Sequence, residues 1–214
     1  MSFTDINKLA EINKEFNCRY PGHIIDDGVA DFEAFEKVNP KILWIFKECN
    51  DPNKTSWSLR EFMRTGVKGY PRWKCVWGMP VMISYALVNN IKDFRKIPPE
   101  AEIERILKHV AAINVKKVGG LSRADDKIVA AYYQKDKDLL LQQIEAISPN
   151  VIINCSRVWD LFCDLKVNDV KSIAPFQVAK SKYGPLINAY HPNRRNLSKE
   201  NYFEIILKCL VTIG

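Results

Sequence analysis

Four short apolar runs constrain this chain more than any other feature. They are KILWIF (41–46), VAAINV (110–115), NVIINCS (150–156) and the LINAY that ends FQVAKSKYGPLINAY (176–190). Each is only a few residues long and apolar at successive rather than alternate positions. A strand covered on both faces of its sheet has this pattern, as parallel strands do. Segments with helical spacing separate them. TDINKLAEINKEFN places Ile6, Leu9, Ile12 and Phe16 on one face, behind Thr4 or Asp5 as cap. DFEAFEKV reads as a short helix, SWSLREFMRTG as a helix stopped by glycine, and residues 71–90 as a long buried helix that Pro80 kinks or breaks. PPEAEIERILK opens a helix with prolines and acids in its first turn. SRADDKIVAAYYQKDKDLLLQQIEAI makes one or two helices, SRVWDLFCDL another, and an amphipathic helix closes the chain from Ser198.

Strands alternating with helices predict a three-layer α/β/α domain around a central four-stranded, mainly parallel sheet. No linker or repeat interrupts it. Residues 1–214 therefore read as one domain, with residues 1–40 as a helical segment packed against it. Apolar residues make up 47% of 214, enough for a sizeable core. No apolar run approaches the roughly 20 residues of a membrane-spanning helix. The six cysteines form no C-x-x-C and several lie in apolar runs, so the expectation is reduced thiols in a cytoplasmic protein, with no metal and no cofactor.

A net charge of +7 suits a polyanionic partner such as DNA without requiring one. The chain has no G-x-G-x-x-G, no G-x-x-x-x-G-K-[ST] and no G-x-S-x-G. That weighs against a Rossmann dehydrogenase, a nucleotide hydrolase and an α/β-hydrolase. The glycine pair of KKVGG is too short to define a phosphate loop.

In open α/β sheets ligands bind beyond the carboxyl ends of the strands. Four loops meet there: Lys47, Glu48, Cys49, Asn50 and Asp51 after the first strand; Asn114, Lys116 and Lys117 after the second; Asn154, Ser156 and Arg157 after the third; His191, Asn193, Arg194 and Arg195 after the fourth. Singly, each is an ordinary polar residue where a strand meets water. Together they offer carboxylates to orient water, amides to read a base edge, a histidine to stabilise a developing oxyanion and arginines to hold phosphate.

The set resembles the uracil-DNA glycosylase superfamily. ILWIFKECND looks like its first motif, which in one branch is a hydrophobic strand followed by G-E-x-P-G. INVKK is similar to the N-V-V-K stretch of that branch, ISPNVII to its L-x-P-x-[IV]-[IV] lead-in, and YHPNRR to its H-P-S motif. The match runs in order across residues 41–195. Lys47 replaces the first motif's glycine, Asn50 and Asp51 replace its proline and small residue, and Asn193 replaces the last motif's serine.

The resemblance implies a uracil-DNA glycosylase-like fold and hydrolysis of the N-glycosidic bond of a flipped uracil or related damaged base. It implies that Asn114, with Asn50 nearby, reads the base and that His191 stabilises charge on the base carbonyl. Glu48 would position water, with Asp51 or Asn50 taking that role if the register slips by one. Lys116, Lys117, Arg194 and Arg195 would hold phosphates. The stacking ring stays open among Trp57, Tyr70, Trp73 and Trp77. Two alternatives remain: a non-catalytic nucleic-acid-binding protein on this fold, and a hydrolase of a small nucleoside or nucleotide.

Overall fold

Uniformly apolar strands must be buried on both sides, and the fold provides two helical layers to do so. The computed structural model describes residues 3–67, 69–70, 73–193 and 196–213. In chain order the strands are Ile25–Asp26 (β1), Gly28–Val29 (β2), Ile42–Phe46 (β3), Trp57–Ser58 (β4), Ala111–Asn114 (β5), Val151–Asn154 (β6), Asn168–Ile173 (β7), Phe176–Ser181 (β8) and Gly184–Asn188 (β9). The α-helices are Ile6–Arg19 (α1), Phe32–Glu36 (α2), Leu59–Thr65 (α3), Trp73–Val88 (α4), Glu100–Ile103 (α5), Asp126–Ile147 (α6), Trp159–Asp164 (α7) and Lys199–Ile213 (α8).

The main sheet runs β2-β5-β3-β6-β9-β8-β7. Strands β5, β3, β6 and β9 are parallel to one another, while β2, β8 and β7 run antiparallel to their neighbours. The expected four-stranded sheet is thereby corrected: among the described residues the sheet has seven strands and is mixed. β8 and β9 form a hairpin that turns at Lys182 and Tyr183. β7 escapes a hydrophobicity reading because it is an edge strand whose residues up to Ser172 are exposed and, apart from Val170, polar. Its charges also discourage edge-to-edge pairing.

Alternate strand residues separate into two cores. Ile42, Trp44, Phe46, Ala112, Ile153 and Ile187 pack with α3, α4 and α8. Leu43, Ile45, Ala111, Ile113, Ile152 and Leu186 pack with α1, α6 and α7. Trp44 is fully buried, and its indole N–H donates to Ser84 Oγ at 3.1 Å, so the ring is covered without leaving a donor unpaired.

Local signals set the helix ends. Asp5, Asp31, Ser58 and Asp125 each accept from backbone amides of the first turn of α1, α2, α3 and α6. Gly66 ends α3 at φ +106°, a conformation that glycine adopts without strain. Pro80 lies inside α4 and does not end it. The carbonyl it leaves without an amide belongs to Val76, which is exposed, so water can serve that carbonyl.

Candidate functional site

The loops leaving β3 and β5 stay zipped beyond the sheet. Lys116 N–H donates to Lys47 O, Gly120 N–H to Cys49 O and Asp51 N–H to Gly120 O, each at 2.9 Å. Such close approach explains the KKVGG glycines. A Cβ on Gly119 would lie 2.5 Å from the Asp51 carbonyl oxygen, and one on Gly120 would overlap the Glu48 carboxyl.

This zipper fixes the two carboxylates of the first motif differently. Glu48 pairs with Lys116, whose ammonium also donates to Gly119 O at 3.1 Å. Both side chains are nearly buried, and Glu48 lines a cavity of about 150 Å³ with Asp125 and Ile128 at the start of α6. Asp51 is buried and its Oδ2 accepts from Thr55 Oγ1 at 2.9 Å. Asn50 is exposed and bridges to Gly120 through its backbone.

Asn114 ends β5 in register with Phe46 of β3, so both project toward the α3/α4/α8 side. Its orientation is set by a buried network centred on Asp27. Asp27 Oδ2 accepts from Asn114 N–H at 2.7 Å and from Nδ2 at 3.4 Å. Nδ2 also reaches Cys49 Sγ at 3.3 Å. The other Asp27 oxygen accepts from Lys117 Nζ at 2.6 Å and Gln143 Nε2 at 3.1 Å. Lys117 also donates to Gln143 Oε1 at 2.7 Å and lies over the Phe16 ring. With Nδ2 committed to Asp27 and Cys49, Asn114 has Oδ1 to present, and no donor among the described residues meets it. Burial pushes the Cys49 thiol up to about 12, helped by the Asp27 charge, so it is no thiolate nucleophile.

His191 follows β9. Its ring packs 6.0 Å from that of Phe46 at 57°. Asn193 N–H donates to Nδ1 at 3.2 Å, which places the proton of the neutral ring on Nε2. Burial, with a lesser contribution from the Lys47 charge, lowers the imidazole to about 4. At neutral pH His191 is therefore an uncharged Nε2–H donor.

The structure thus brings together part of the expected set. Asn114 and His191 flank Phe46 on one face. Glu48 turns to the α6 side, and neither Asn114 nor His191 lines its cavity. Lys116 and Lys117 do not present ammonium groups to a phosphate. Each is buried and ion-paired, because the loop zipper and the Asp27 network draw them inward. Arg194 and Arg195 lie outside the described residues.

Of the aromatic candidates, Trp77 is buried edge-on to Phe46 at 5.3 Å, and Trp57 and Tyr70 pack on Phe62. Trp73 is partly buried against the same core. The ring between Asn114 and His191 is Phe46, a buried core residue, overlooked because it reads as the last core residue of a strand. Asp27 was missed too, since nothing local marks an acid between two dipeptide strands. Comparison with known proteins returns no matching family model and no matching curated sequence.

Proposed function

We propose that this protein is a base-excision glycosylase with a uracil-DNA glycosylase-like fold, and that it holds a flipped uracil or related base against Phe46. One observation carries the reading: Asn114 and His191 flank an aromatic ring at the carboxyl ends of parallel strands. The order β5-β3-β6-β9 between two helical layers supports it, since the resemblance expects four parallel strands there. In this proposal Asn114 Oδ1 accepts an N–H of the base edge. His191 Nε2–H donates to the base carbonyl oxygen as negative charge grows on it, and a neutral donor does so without first giving up a proton. Asp51, held by Thr55, is the carboxylate that positions water, because Glu48 is neutralised by Lys116.

A second reading, DNA binding without catalysis, is favoured by that same Glu48–Lys116 pair. The test is release of free uracil from single- and double-stranded oligonucleotides carrying one deoxyuridine. Release that falls at least a hundredfold in His191→Ala and Asp51→Asn supports excision. Salt-sensitive oligonucleotide binding without release supports the second reading. Neither release nor binding contradicts both.

A further inference from the structure

A second group of polar side chains lies next along the same carboxyl edge, on β6, β9 and β8. Three side-chain amides cross three strands in register: Asn154 on β6, Asn188 on β9 and Gln177 on β8. A backbone amide fixes their direction. Ser156 N–H donates to Asn154 Oδ1 at 3.1 Å, so that oxygen is an acceptor and the other end of Asn154 is its NH2. Asn154 Nδ2 therefore donates to Asn188 Oδ1 at 3.3 Å, and Asn188 Nδ2 to Gln177 Oε1 at 3.5 Å. Every oxygen in the row is used. The row ends in Gln177 Nε2, which has no acceptor among the described residues.

This end opens into a cavity of about 420 Å³ lined by Gln177, Asn188, Arg157 and Ser172, with the half-buried Tyr190 as its aromatic wall, backed by the buried Phe176 ring at 5.8 Å and 85°. No carboxylate among the described residues lines it. Asp126, the ion-pair partner of Arg157, is shared with Lys47, so two cations over one carboxylate leave a net charge of +1. A lining of donors and a cation, with one flat aromatic wall and a volume in the range of small-ligand pockets, calls for an anionic oxygen group joined to a ring.

We propose that this cavity binds a nucleoside monophosphate, with Arg157 and Gln177 holding the phosphate oxygens and Tyr190 against the base. The ligand is either a free nucleotide or a residue of a single strand. The site adjoins the Phe46 edge, since Tyr190 immediately precedes His191, but its proposed ligand does not depend on base excision.

The test is titration of the full-length protein with thymidine monophosphate and a thymidylate tetramer, in a His191→Ala background that disables the Phe46 edge. Gln177→Glu replaces the terminal donor by a carboxylate of the same shape. Arg157→Gly removes the guanidinium at a residue with φ +62°, where glycine is at ease. The expected result is binding that each substitution weakens at least tenfold while the unfolding midpoint holds. Tighter binding of the tetramer assigns the site to nucleic acid, and equal binding assigns it to the free nucleotide. No binding of either probe, or binding that both variants leave intact, overturns the proposal. Uracil release plays no part in this assay, so its failure and that of the excision reading are distinguishable.

Discussion

Replacing Lys117 by methionine removes a buried ammonium and leaves Asp27 without its counter-ion. The two charges sit 2.6 Å apart and each side chain is 1% exposed. At an effective dielectric of about 20 their attraction is about 6 kcal/mol before desolvation. Asn114 and Gln143 still donate to Asp27 in the variant, so part of the loss is recovered. The net cost expected for breaking a buried pair is about 3–5 kcal/mol. With a urea slope of about 2 kcal/mol/M, the unfolding midpoint should fall by about 2 M. The double variant Lys117→Met with Asp27→Asn removes both charges of the pair and should regain much of that loss. Urea unfolding followed by far-UV circular dichroism measures both. A single-variant shift below about 0.5 M, or a double variant no better than the single, contradicts the assignment of Asp27 and Lys117 as a charged buried pair.

The His191 imidazole is lowered to about 4 from 6.5, so the unfolded chain takes up the proton first as pH falls. The stability this group contributes is complete above pH 6.5 and is lost between about 6.5 and 4, and His191→Gln should flatten that part of a stability-versus-pH curve. Base release should show no acid limb near pH 6.5 assignable to His191, and one that vanishes in His191→Gln contradicts the neutral-donor role. Gly119→Ala drives a methyl into the Asp51 carbonyl, and thermal unfolding should show a loss of about 1–3 kcal/mol. A neutral result there contradicts the loop zipper.

Apolar runs revealed the parallel strands because burial on both faces leaves a mark at every residue. Edge strand β7 left none, since half-solvated strands carry polar side chains. The carboxyl-edge rule and the four motifs brought Asn114 and His191 to one face. They could not show which way Glu48 turns, because that depends on Lys116 and on two glycines, which admit the loop from across the edge. Lys116 and Lys117 looked like phosphate ligands because sequence reports a charge and not its partner. Asp27, 90 residues before Lys117, is joined to it only by the fold. Phe46 was hidden by its own strand, since a ring that closes a core and one that meets a ligand read alike.

The most direct measurement is a crystal structure of the protein soaked with uracil. The account predicts a uracil ring against Phe46, with Asn114 Oδ1 on a base N–H and His191 Nε2 on a carbonyl oxygen. Uracil bound elsewhere, or a Phe46 edge that stays closed to it at saturating concentration, would contradict it.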